Sequence, residues 1–207
     1  MKSKGMYTLA RKSLFPVLKP VGFEEHLGAY TRLLESGVVH HIGLAKDPHG
    51  AESFLVMCGV DAEPIKGDGA SVYGFFKRHD YNHLTPNGWE LHSGCWPCAT
   101  EEEAVKSLGE VRHLVVHLAL PWLDAHVTLS SVADEINALG MPPHNEMKMK
   151  LYLLDGDLPR ARAALEDFAA WLAKPPIWGG KTHFPKDIER LERMRQAIAA
   201  AERGLRE

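Results

Sequence analysis

Between Leu27 and Val60 the chain is built from short β-rich runs joined by turns too short to hold a crossover helix, and this restricts its fold more than any other feature. Leu27–Leu34 and Val38–Ala45 flank Glu35-Ser36-Gly37, a hairpin loop with glycine where a positive φ is wanted. A turn at Asp47-Pro48-His49-Gly50 leads to a third run, Ser53–Val60. Asp61–Ala70 is polar and Gly-rich, a loop. Val72–Phe76 and Trp89–His92 are two more short runs, joined through Thr85-Pro86-Asn87-Gly88. Strands in this succession form an antiparallel meander, because parallel neighbours need a crossover of a dozen or more residues.

Helical periodicity brackets this region. Met6–Lys19 carries Leu9, Leu14, Val17 and Leu18 toward one face, with a kink or early end expected at Pro16 and a stop at Pro20 and Gly22. From Thr100 the chain is helical. Thr100-Glu101-Glu102-Glu103 forms a capping box, and Pro121 is expected to kink or break the helix near Leu120. Ser131–Leu139 follows, capped by Ser131 and Asp134 and ended by Gly140. Then come Glu146–Leu154, Pro159–Ala173 capped by Asp157, and Asp187–Leu205 with Ile188, Leu191, Met194 and Ile198 on one side. Tyr152–Asp157 joins two of these as a tight helical hairpin. No internal repeat persists.

The fold class expected is therefore α+β. It has an N-terminal helix, an antiparallel meander of about four to five strands, helices on one face, and a C-terminal helical hairpin plus long helix. Met141-Pro142-Pro143 marks the boundary between an α+β domain, 1–140, and a helical extension packed on it, 141–207.

Composition narrows the class. With 207 residues, 45% of them apolar, the chain buries a full core without staples. Net charge is −3, which argues against a dedicated nucleic-acid binder. The locally basic first twenty residues (Lys2, Lys4, Arg11, Lys12, Lys19) read as a solvated helix face. Leu14–Leu18 is too short and too interrupted for a secretory signal, and Leu114–Leu123 too short for a membrane span. Three cysteines without a signal point to a reducing cytoplasm.

The stretch from Tyr7 to about Asp134 resembles an uncharacterised bacterial family, domain of unknown function 4304. The resemblance rests on Leu18-Lys19-Pro20-Val21-Gly22-Phe23, Tyr30-Thr31-Arg32 and Gly37-Val38-Val39-His40-His41-Ile42-Gly43-Leu44. It continues in Phe54–Val60 and in Leu120-Pro121-Trp122-Leu123-Asp124. Ala45-Lys46-Asp47 stands where such relatives commonly show Gln, Lys and Ser. The resemblance implies an α+β fold and carries no catalytic residue. A link to toxin-immunity binding proteins follows by analogy of size and style.

Cys95-Trp96-Pro97-Cys98 is the sharpest chemical signal. Two sulfurs at that spacing suit a disulfide or two metal bonds, and the Thr100 helix starts just after Cys98. No βαβ pattern surrounds the pair, and Glu101–Glu103 would raise a thiolate pKa. As a zinc set, Cys95 and Cys98 would join His92, with His117 or His113 as a fourth ligand. The bland alternative is a loop that packs Trp96. Twelve histidines include two i, i+4 pairs, His113/His117 and His79/His83. Leu114 stands where H-E-x-x-H needs Glu. Phosphate-loop, dinucleotide and nucleophile-elbow motifs do not occur, and Asp61, Glu63 and Asp68 lack calcium-loop spacing. Of the five Trp (Trp89, Trp96, Trp122, Trp171 and Trp178), Trp122 and Trp171 suit helix–core contacts, and Trp178, between Pro175-Pro176 and Gly179-Gly180, either pins its loop to the core, the favoured reading, or anchors a partner.

The expectation is a non-catalytic cytoplasmic protein-binding module of immunity-like kind with a protein partner, no nucleic acid, no membrane and no required cofactor. The alternative is a metal- or thiol-dependent enzyme, or a structural zinc protein, using Cys95 and Cys98 with His92 and His117.

Overall fold

The computed structural model describes residues 3–26, 28–46, 52–63, 95–138, 145–174 and 185–204. The fold is α+β: an N-terminal helix, a five-stranded antiparallel sheet, then helices. The chain forms two compact units: residues 1–61 with 72–127, which hold the sheet up to Asp61, and residues 62–71 with 128–207, which hold the later helices.

Helix α1, Ser3–Leu18, buries Met6, Ala10, Leu14 and Leu18, one residue per turn of a single stripe. Pro16 does not break it. Pro16 and Lys12 both lie on the exposed side, where water can take the Lys12 carbonyl that loses its amide partner. After a 3-10 turn, Lys19–Val21, the chain reverses at Gly22, φ +88. The Phe23 amide reaches the Leu18 carbonyl and the Gly22 amide the Lys19 carbonyl, so the last carbonyls are satisfied through a left-handed glycine.

The sheet runs β1 Glu24–His26, β2 Ala29–Leu33, β3 Val38–Lys46, β4 Ser53–Ala62 and β5 Cys95–Pro97, in that order. The β2–β3 loop is the expected Glu35-Ser36-Gly37. The Gly37 amide bonds to the Leu34 carbonyl, and Gly37 sits at φ +83. This turn fixes the register Tyr30↔Ile42, Arg32↔His40 and Leu33↔Val39. Tyr30, Val38, His40, Ile42 and Leu44 are buried, and Leu33 faces out. Strand β1 has no apolar alternation in Glu24-Glu25-His26 to announce it, and the expected strand from Leu27 begins at Ala29. The expected runs Val72–Phe76 and Trp89–His92 lie outside the described residues. Strand β5 occupies the C-x-x-C segment that reads as loop in the sequence, with Trp96 opposite Phe54 and stacked on it at 6.1 Å.

Helix α2, Glu101–Leu114, starts with the expected capping box, Thr100 accepting from the Glu103 amide and Glu103 from the Thr100 amide. It packs on α1 and β5, with Ser107 donating to the Pro97 carbonyl at 2.7 Å. Of the kink or break expected at Pro121, the break does not occur. A π turn, Val115–Ala119, carries α2 into α3, Leu120–Ala125. The Leu120 amide bonds to the Val115 carbonyl, and this wider turn makes room for the pyrrolidine ring.

The second unit holds α4 Leu129–Ala138, α5 Asn145–Leu154, α6 Leu158–Ala173 and α7 Pro185–Gly204. Helix α4 starts two residues before the expected Ser131. Thr128 is its cap: its side chain accepts from the Ser131 amide, and Ser131 accepts from the Thr128 amide. Asp134 accepts instead from the Tyr152 hydroxyl at 2.5 Å and from Arg160 at 2.7 Å. The α5–α6 turn is the expected tight hairpin, closed at Gly156 (φ +77), with Asp157 capping α6. Glu146 on α5 meets Arg190 at 3.0 Å and Arg193 at 3.4 Å on α7. Met194 and Ile198 are buried as expected, whereas Ile188 is exposed.

Two glycines should respond oppositely to alanine. At Gly28, φ +84, a Cβ would lie 2.5 Å from the Tyr7 ring, so Gly28→Ala should cost about 2 kcal/mol or more. At Gly109, in α2, a Cβ meets nothing within 4 Å, so Gly109→Ala should stabilise by about 0.5–1 kcal/mol. Denaturant midpoints of the two variants against the parent chain check both signs.

Candidate functional site

Two arrangements in the first unit concentrate polar chemistry. The first is buried. Arg32 on β2 faces His40 on β3, and the Arg32 Nε donates to His40 Nδ1 at 3.2 Å. The same guanidinium donates to the Val21 carbonyl at 3.1 Å and to the Asp124 carboxylate at the end of α3, and it lies 5.0 Å over the Phe23 ring. Arginine has donors only, so His40 Nδ1 must be an acceptor. His40 is therefore the neutral Nε2–H tautomer, and Nε2 donates to the His126 carbonyl at 2.8 Å. His126 in turn donates from Nδ1 to the Trp122 carbonyl at 2.7 Å, its ring 4.3 Å from the Trp122 ring.

His40 has no exposed surface, and both ring nitrogens are occupied. The Arg32 side chain is 14% exposed and the Asp124 side chain 59%. A substrate can reach the carboxylate but not the imidazole, so the cluster's chemistry is structural: it ties the β2–β3 hairpin to the end of α3. Arg32, His40 and Asp124 come from three separate segments of the family resemblance.

The second arrangement is open. A cleft of about 370 Å³ between α1 and α2 is lined by Val17, Gly109, Arg112, His113, Val116 and His117. Ser13 fixes the two helices beside it by donating to the Leu108 carbonyl at 3.3 Å. Gly109 contributes no side chain, Val17 and Val116 supply apolar walls, and Arg112, His113 and His117 are exposed. The His113 and His117 rings stand 4.3 Å apart, tilted by 47°. Among the described residues, no acidic side chain lines the cleft.

The proposed metal ligands are placed as follows. His117 is on the cleft wall with His113. Cys98 is buried, and its amide donates to the Glu52 carbonyl at 2.7 Å. Cys95 occupies the β5 position opposite Leu55. His92 lies outside the described residues, as do His79, His83, Asp68, Trp89 and Trp178. Among the described residues, no three His, Cys, Asp or Glu side chains are grouped so as to hold a metal ion. Trp96 is buried, and Trp171 stacks on Phe168 at 5.7 Å. Among the described residues, no helix is long and apolar enough to cross a membrane.

The sequence reading found the His113/His117 pair but missed Arg32, Asp124, Arg112 and Val17. The Glu35–Gly37 loop held the signal for one contact, since a three-residue loop there sets Arg32 across from His40. Comparison with family models, curated proteins and solved structures finds no match to this chain.

Burial pushes the His40 pKa below its ordinary 6.5; the His126 carbonyl opposes this shift, and the Arg32 charge adds to it. The unfolded chain therefore takes up this proton first as pH falls. The stability contributed by neutral His40 is complete above pH 6.5 and is lost as pH drops from there through the lower folded value. Chemical denaturation from pH 8 to 5 should show this decline, and His40→Gln should flatten that part of the profile while lowering stability at pH 8.

Proposed function

We propose that this chain is a protein-binding module and that its partner docks at the cleft between α1 and α2. The observation that carries the proposal is the lining: apolar Val17 and Val116 beside the exposed guanidinium of Arg112 and the imidazoles of His113 and His117, on a concave surface that holds no acid among the described residues. Such a surface complements a segment that presents a carboxylate next to a large apolar side chain. Helix α1, which forms one wall, holds no acidic residue along its whole length. Its exposed Lys12 adds charge of the same sign.

The immunity-like character and the kinship with domain of unknown function 4304 belong to the same proposal. The kinship rests on the sequence segments that carry the resemblance, three of which hold Arg32, His40 and Asp124. A cytoplasmic setting belongs to the same proposal and is supported by the low count of three cysteines in 207 residues.

Selection from a displayed random peptide library tests the docking surface. Peptides enriched on the parent chain should pair Asp or Glu with a large apolar residue. They should lose about tenfold or more in affinity for Arg112→Glu and for Val116→Asp, each checked for an unchanged fold. Equal enrichment on parent and variants would overturn the proposal.

A further inference from the structure

We propose that His113 and His117 form a two-nitrogen chelate for a divalent late transition cation, Cu(II) or Ni(II), on the wall of the cleft. Residues four apart on a helix project to one side, and here their rings are separated by 4.3 Å between centroids. An imidazole nitrogen sits about 2.0–2.1 Å from such a metal. Two imidazoles bound at right angles then have centroids about 4.5 Å apart, and at the tetrahedral angle about 5 Å apart. The observed spacing matches adjacent corners of a square or octahedral site, the geometry Cu(II) and Ni(II) favour, more closely than the tetrahedral site zinc favours.

Surroundings sharpen the choice of cation. Both histidines are exposed, so no ring has to leave the core to coordinate. Arg112 lines the same cleft and repels a cation held by charge alone. Magnesium or calcium, which depend on carboxylate oxygens, gain nothing here. A late transition ion gains two directional nitrogen bonds that offset the repulsion. Glu110 lies one turn before His113, but among the described residues no third His, Cys, Asp or Glu side chain completes the set. Water therefore fills the remaining positions.

This proposal does not depend on the docking proposal, because the protein alone binds the ion. The test is calorimetric titration of the full, untagged, EDTA-stripped chain with NiCl₂ and with CuCl₂ in a non-coordinating buffer. One site should be filled by either ion, more tightly by Cu(II) than by Ni(II). Affinity for that site should fall at least tenfold in His113→Gln and in His117→Gln, and change little in Glu110→Gln. The parent chain gives a second readout without any variant: substoichiometric Cu(II) should broaden the ring NMR signals of His113 and His117 before those of the other histidines. Equal binding by parent and both Gln variants, or first broadening of other histidines, would overturn the assignment. So would the absence of binding at millimolar ion.

Discussion

A single guanidinium, that of Arg32, holds together the parts of the first unit that local rules leave separate. Burying most of an arginine costs several kcal/mol unless its donors are used. Here they are used in three directions: toward His40 on the neighbouring strand, the Val21 carbonyl after α1, and Asp124 at the end of α3. The cost is limited because His40 accepts as a neutral ring and Asp124 stays in water to balance the charge. Each partner in turn depends on a local device. The Gly37 turn sets the strand register, Gly22 turns the chain so that Val21 offers its carbonyl, and the π turn carries the helix past Pro121 to Asp124 and His126.

The same arrangement decides which surface is left for function. His40 has the side chain most suited to proton transfer, but its nitrogens are spent on Arg32 and a backbone carbonyl inside the core. The imidazoles of His113 and His117 stand at the surface, in a cleft that exists partly because Gly109 places no side chain there. Among the described residues, the accessible imidazole pair therefore lies on the α1–α2 face, and the sheet–α3 junction keeps the fold.

Features encoded within a few residues were readable in the sequence. The Glu35–Gly37 loop, the Thr100–Glu103 capping box, the Asp157 cap and the Tyr152–Asp157 hairpin all follow from local hydrogen bonding and glycine geometry. Proline ends the helix at neither Pro16 nor Pro121, because its cost depends on the fate of the carbonyl a turn earlier. At Pro16 that carbonyl is on the wet side, and at Pro121 a π turn absorbs the strain. Strand β1 lacks alternation, and β5 is only three residues long in a segment whose cysteines suggested chemistry first. The histidine pair of the cleft was visible as an i, i+4 spacing. Val17 and Arg112 became neighbours of it only when α1 packed on α2, and Asp124 met Arg32 only across 92 positions of chain.

The central claim is that the Arg32–His40 cluster is a structural tie, closed to substrates and built on a neutral His40. Long-range ¹H–¹⁵N NMR of the histidine rings at neutral pH tests it most directly. The account predicts a neutral His40 with its proton on Nε2, bare Nδ1 accepting from Arg32, and a titration midpoint below the ordinary 6.5. A protonated His40 at pH 7, or an Nδ1–H tautomer, would contradict it.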